Sequence, residues 1–260
     1  MSVPGVPFHS DQWCVALYEM QESSEGPDPY VPTAYRGSGF LFPGGLVVSC
    51  WHCLHPPRDG KVLAAIRGND LDAYQFCLLR DVSQDRSGFD LATAAAPAFQ
   101  GSPLVLAHSN SSIGQRVMTV AHAGTIGRLS DGDRGSLRFE QPTRTLQGYV
   151  TRTFKFQPLD GGRVVPSWEV DMPCPAGSSG APLILTDSLA SGRPLVIGVI
   201  HGRHLALSEP DHEMGLPNYV FGLAHYLDTV KNLTGDALGD QTLHEYMLGH
   251  GAVGVHYMLD

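Results

Sequence analysis

The chain has 260 residues, 42 % of them apolar and 17 % charged, which is the composition of a folded protein long enough to bury a core. Its formal charge of −9 at pH 7 argues against the broad basic face of a nucleic-acid binder and against docking on an anionic membrane. No stretch approaches the roughly 20 apolar residues that a membrane-spanning helix needs.

In chain order, short β-type runs recur between Gly, Pro and Asp turns. They fall at 12–20, 38–42, 45–50, 61–66, 73–79, 90–96, 103–107, 115–123, 136–140, 146–156, 181–185, 194–200 and 218–224. GPDPYVP (26–32) reads as a rigid loop, and SQDRSG (83–88) and SDGDRG (130–135) read as polar turns. Past Ala224 the pattern changes. HYLDTVKNL (225–233) places Tyr226, Leu227, Val230 and Leu233 at helical spacing, and Gly235 would stop that helix. Residues 240–260 suggest a second short helix and a tail. About a dozen short strands at this spacing predict an all-β sandwich or a pair of barrels.

The N-terminus, MSVPGVPFHSDQW, has no basic region followed by an apolar one, so no secretory signal is expected there. With five cysteines, an odd number, the simplest expectation is reduced thiols in a cytoplasmic protein.

Two motifs carry chemistry. In PCPAGSSGAPL (173–183), Gly177 and Gly180 flank two serines, and Pro182 forbids a helix from continuing. A strand follows instead, so the run reads as a tight turn that lifts a serine out of the backbone. Glycines on both sides let successive N–H groups point at one spot, as a developing oxyanion requires. The second motif, SCWHCLH (49–55), follows an apolar strand, so His52 is expected at a strand end facing a cleft, as the base for Ser179. Asp90, at the entry to the apolar run LATAAA, is the candidate carboxylate to hold the imidazole tautomer. Asp81 and Asp85 are neighbouring alternatives.

These motifs together resemble the chymotrypsin/trypsin-like serine protease family, in its bacterial intracellular form. GSGFLF (37–42) resembles the family's G-[ST]-G-F strand, and VVSCWHC (47–53) its VVTAAHC motif. FDLA (89–92) resembles the motif around its aspartate, GSSGAP (177–182) its GDSGGP, and VIGVIHG (196–202) the strand that lines its substrate pocket. The order His, Asp, Ser is the family's own. The resemblance covers roughly residues 10 to 232. It implies Ser179 as nucleophile, His52 as general base and then acid, and Asp90 as the orienting carboxylate. The oxyanion hole would be the amides of Gly177 and Ser179, and the pocket would involve Pro173, Cys174, His201 and Gly202.

The sequence also departs from the family. Ser178 stands where most animal members carry the aspartate that receives a new N-terminus, so control is expected to come from elsewhere, by loop ordering or an activating protein partner. Cys53 matches a disulfide-bonded cysteine of secreted relatives, but Gly37 stands at its partner's position, which implies a free buried thiol. His201 is read in two ways: as a pocket residue favouring an acidic P1 side chain, or as a histidine bonded beside the triad. Asp171 lies two residues from the pocket position that would favour a basic P1.

Other readings were weighed. Zinc on Cys50, Cys53 and His55 lacks a fourth ligand, and His201, His204, His212 and Glu213 have no recognised catalytic spacing. A Cys50–Cys53 disulfide is disfavoured, since extended backbone rarely brings such close residues into bonding geometry. A nucleophile elbow at Ser178 needs a following helix, and a viral-type cysteine protease needs Cys at 179.

The expected fold is therefore all-β: two six-stranded antiparallel barrels and a C-terminal helix. Residues 1–105 would carry His52 and Asp90, residues 106–233 would carry Ser179 and the helix, and 234–260 would be a tail. The expected function is a serine endopeptidase, with no cofactor or metal, acting on a specific protein or peptide substrate in bacterial signalling or defence. Its competitor is a latent protease-like binding or regulatory module.

Overall fold

The computed structural model describes residues 12–24, 29–68, 75–109, 111–123, 126–129, 137–140, 143–157, 163–206 and 219–255. The turn expected at 130–135 and part of the 26–32 loop lie outside these residues.

The protein is built from two sheets. The first contains β1 (Cys14–Glu22), β2 (Tyr30–Phe42), β3 (Leu46–Ser49), β4 (Val62–Arg67), β5 (Gln75–Leu78), β6 (Arg80–Gln84) and β7 (Ala92–Ala95), in the order β5-β4-β1-β2-β3-β7-β6. Its two edge strands are consecutive in the chain, separated by Leu79 alone. The segment pairs with β4 at one end and with β7 at the other. The change of direction coincides with a register shift between Arg80 and Ser83, where Asp81 takes a left-handed φ of 50°. This sheet is a half-barrel of seven strands rather than the six expected. The extra strand is β6, whose last two residues, Ser83 and Gln84, fall in the polar run expected to be a turn.

The second sheet contains β8 (Val105–Ala107), β9 (Arg116–Ala121), β12 (Arg144–Phe156), β13 (Val165–Val170), β14 (Pro182–Leu185), β15 (Leu195–Ala206), β16 (Tyr219–Tyr226) and β17 (Val253–Gly254). Six of these strands close a ring, β14-β9-β12-β13-β16-β15, because β14 pairs with both β9 and β15. Pro182 is tolerated because it is the first residue of its strand. A separate hairpin joins β10 (Ile126–Leu129) to β11 (Leu137–Glu140). The fold is thus the expected all-β pair of barrel-like sheets with helical segments at the C-terminal end.

Strand periodicity explains how the two halves share a core. Successive side chains of β1 point to opposite faces. Val15 and Leu17 enter the large cluster that also holds Val117, Leu183 and Val199, whereas Ala16, Tyr18 and Met20 pack with Ala64 and Ile66. Both faces of β1 are therefore covered.

After β16 come α2 (Leu227–Lys231) and α3 (Leu243–Gly249). Residues 234–255 pack along the body instead of trailing from it. Leu243 and Met247 are fully buried, and β17 adds in parallel to β8 of the second sheet. Asp85 accepts hydrogen bonds from the Thr234 amide and hydroxyl at 3.2 and 3.3 Å, and the Tyr246 hydroxyl donates to the Pro43 carbonyl at 3.2 Å, both on the first sheet's side. The C-terminal segment therefore bridges the two sheets. Among the described residues, no helix is long and apolar enough to cross a membrane.

Candidate active site

His52 lies on a one-turn helix, α1 (Trp51–Leu54), just after β3. The expectation that it ends a strand is off by this turn: the chain must leave the sheet at Cys50 to bring the imidazole out, and the turn does so. His52 is exposed at the surface of the turn, while its neighbours Cys53 and Leu54 are buried in the core.

Both oxygens of Asp90 engage His52. Oδ1 accepts the His52 backbone amide at 2.9 Å, and Oδ2 lies 2.7 Å from Nδ1. An ionised carboxylate only accepts, so the shared proton sits on Nδ1, and in the neutral ring Nε2 keeps its lone pair. The amide contact fixes the carboxylate against the helix turn, so the imidazole cannot rotate away without losing its bond to Oδ2. Burial pulls the His52 pKa down. Hydrogen bonds to Asp90 and Cys53, with their charges, outweigh it and raise the value to about 10. His225, fully buried, lies behind this pair, with Nε2 3.2 Å from the Asp90 carbonyl. Burial pushes its pKa down to about 3, so it stays neutral and its Nε2–H can donate.

Ser179 sits in a loop stitched to both sheets. From the first sheet, the Ser38 amide donates to the Ser179 carbonyl at 2.9 Å, and the Ser38 hydroxyl donates to the Gly177 carbonyl at 2.7 Å. From the second, the Gly180 amide donates to Ile200 at 2.7 Å, and the Ile200 amide to Ala181 at 2.9 Å. The Tyr35 hydroxyl lies 3.0 Å from the Gly177 carbonyl and 2.7 Å from that of His122. Gly177 and Gly180 have φ of 90° and 86°, a left-handed backbone that a side chain would strain. Among the described residues, the amides of Gly177 and Ser179 donate no hydrogen bond, which leaves both free for a ligand oxygen.

Sequence reasoning missed Tyr35 and Ser38. Ser38 stood in the G-S-G-F run and could have been suspected from it. Tyr35 had no local signal, because its role depends on a carbonyl 142 residues away.

The remaining candidates are spread unevenly. A pocket of about 100 Å³ adjoins Ser179, between Cys174 and Ser178 on one side and Ile200, Gly202 and Arg203 on the other. Pro173 is exposed, and neither it nor His201 belongs to the lining. His201 instead stacks on His225 with ring centres 4.4 Å apart, and its Nε2 lies 2.8 Å from the Ser167 hydroxyl. It therefore sits behind the His52–Asp90 pair, against His225. Burial, with His225 adjacent, holds its pKa well below the usual histidine value. Asp171 is turned toward Gly148 and accepts the Tyr149 amide. Asp85 is taken up by Thr234, and Asp81 lies on β6. The side chain of His204, and the whole of His212 and Glu213, lie outside the described residues.

The two cysteines beside His52 are free and fully buried. A side chain at Gly37 would meet the Cys53 sulfur at 2.5 Å, so Gly37 does face Cys53. Cys50 caps α1 and Cys53 lies inside it, so the backbone between them is helical, not extended. The ligand atoms that converge are those of Cys50, His52 and Asp90, all within 4.8 Å of one another, rather than Cys50, Cys53 and His55. Burial, then Asp90 and Cys53, raise the Cys50 pKa well above its usual value, and its thiol donates to the Ile200 carbonyl at 3.2 Å. A protonated, hydrogen-bonded thiol is a poor metal ligand.

Residues 37–193 match the trypsin-like peptidase domain. The chain belongs to that family. No curated protein sequence matches it. Among solved structures, the active form of the Rv3671c protease from M. tuberculosis is similar with a TM-score of 0.58 at 16 % identity, over 90 % of this chain and 84 % of that one. The HtrA-type protease AlgW with a decapeptide gives 0.56 at 12 % identity, over 93 % and 66 %. The MamO protease domain from Magnetospirillum magneticum gives 0.53 at 13 % identity, over 86 % and 97 %. At such identities these likenesses establish the fold of the trypsin-like domain and nothing finer.

Proposed function

We propose that the protein is a serine endopeptidase. Ser179 attacks the scissile carbonyl, and His52 takes its proton and later gives it to the leaving amine. Asp90 holds the imidazole, and the Gly177 and Ser179 amides receive the oxyanion. Water activated by His52 then releases the acyl group. The observation that carries this reading is the double contact of Asp90 with His52, at 2.7 Å to Nδ1 and 2.9 Å to the amide. Only an imidazole held in that tautomer presents Nε2 as a base. The substrate class follows from the chemistry: a protein or peptide, a reading supported by the decapeptide named with AlgW.

The finer assignments belong to the same proposal. Five free buried cysteines suit a reducing, cytoplasmic compartment. Ser178 offers no carboxylate to receive a new N-terminus, so activation runs through loop ordering or a protein partner. The SCWHC motif, which resembles those of intracellular bacterial members, supports a role in signalling or defence.

A second reading, a latent protease-like module, draws on the raised His52 pKa of about 10: near pH 7 the ring is charged and cannot accept a proton. One experiment separates the two. A fluorophosphonate probe should label the wild-type protein, and labelling should vanish in Ser179→Ala. Labelling that survives in Ser179→Ala overturns the assignment. A wild type that labels only after a partner is added favours latency.

A further inference from the structure

The pocket beside Ser179 holds one charged residue, Arg203, among the described residues that line it. We infer that Arg203 makes this an endopeptidase for peptides with an acidic residue, Asp or Glu, at P1. The inference rests on the serine-endopeptidase reading above and adds its substrate class.

Local geometry puts Arg203 there. β15 is anchored to the nucleophile loop at Ile200, which bonds to Gly180 and Ala181. Immediately afterwards the pairing of β15 with β16 shifts register, between Ile200 and Gly202. Such a bulge re-aims the residues around it. His201 is the displaced residue, and its ring goes to Ser167 and His225. Gly202 and Arg203 then line the pocket. A side chain at Gly202 would meet no atom within 4 Å, so the space beside Arg203 is open.

Among the described residues the Arg203 guanidinium has no ion pair or hydrogen bond, in contrast to Arg36 on Glu19 and Arg152 on Glu169. Asp171, which could have favoured a basic P1, is engaged on the Tyr149 amide, and His201, the other candidate for holding an acidic P1, on Ser167. The wall also contains the Ser178 hydroxyl, buried and without a hydrogen-bond partner among the described residues. A carboxylate is the group that would accept from a planar guanidinium in two parallel bonds.

Size and charge are compatible. The pocket's ≈ 100 Å³ far exceeds the roughly 10–15 Å³ that one water needs, so a short side chain fits. The protein's formal charge of −9 opposes acidic peptides at long range, but screening at physiological salt confines that repulsion to about 8 Å. Among the described residues that line the pocket the one charged side chain is Arg203, and it is positive.

The test is cleavage of a peptide set varied only at P1, with active sites counted by fluorophosphonate labelling. Wild type should prefer Glu or Asp. Arg203→Gln should lower kcat/KM for acidic P1 about 10- to 100-fold relative to neutral P1, up to about 2.8 kcal/mol. Arg203→Lys should restore part of the preference, and Arg203→Glu should turn it toward basic P1. A merely structural role for Arg203 would lower all substrates together. Ser179-dependent labelling with a basic or apolar P1 preference, or an acidic preference that survives Arg203→Gln, overturns this inference and leaves the endopeptidase reading standing. If Ser179 is never labelled, both fall.

Discussion

Gly180→Ala tests whether the Ser179 loop is held by close packing between the sheets. Gly180 has a φ of 86°, where an L side chain costs about 1–2 kcal/mol. A Cβ there would also lie 2.1 Å from the Ser38 carbonyl oxygen and 2.0 Å from the Ser49 hydroxyl. The Ser49 hydroxyl could rotate, but Ser38 is backbone. It is fixed by the Ser49 bond to its carbonyl at 2.7 Å and by its own amide bond to Ser179 at 2.9 Å. Relieving the clash sacrifices both bonds, at about 0.5–1.5 kcal/mol each. The total is roughly 2–5 kcal/mol, or a fall in Tm of about 4–20 °C at about 2–4 °C per kcal/mol. Gly101→Ala is the control. Its φ is 77°, but no atom lies within 4 Å of the added carbon. Its strain is partly offset by about 0.4–1 kcal/mol from a stiffer unfolded chain. Thermal unfolding by circular dichroism would measure both, and the fluorophosphonate labelling rate should fall on the order of 100-fold in Gly180→Ala alone. Equal Tm changes in the two variants would refute the packing argument.

Two further outcomes follow from the same contacts. His52 has a folded pKa above its unfolded value of 6.5, so the stability it gains from Asp90 is fully present below pH 6.5 and is lost as pH rises through about 10. Asp90→Asn should therefore lower Tm most in mildly acidic buffer and least near pH 10. It should also shift the alkaline rise of kcat/KM to lower pH; a pH–rate profile unchanged from wild type would contradict the ion pair. Met247→Ala removes a fully buried side chain from the bridging C-terminal segment and should cost about 2–5 kcal/mol in urea unfolding. A loss below about 1 kcal/mol would mean that segment 234–255 does not brace the body.

Most strands were legible because their apolar runs face a core. The strands that escaped notice had other reasons to form. β6, RDVSQ, is an exposed polar edge that exists because β7 is there to pair with. β13, VPSWEV, carries a proline and a glutamate, and its Glu169 is buried because Arg152 on β12 binds both its oxygens. A two-residue β17 has no sequence signal at all.

The candidate site was legible to the same degree. Residue order along the chain, glycines around a serine, and a carboxylate opening an apolar run are local facts, so His52, Asp90 and Ser179 could be named from sequence alone. What the sequence by itself determined is the β-rich class and which side chains are candidates for the chemistry, because both depend on side-chain type and short-range spacing. Only the tertiary structure decided that Ser38 and Tyr35 hold the Gly177 carbonyl, that His201 bonds to Ser167 instead of lining the pocket, and that Arg203 lines it. Those outcomes depend on bulge register and on partners more than a hundred residues distant, where sequence spacing carries no information about which way a side chain faces.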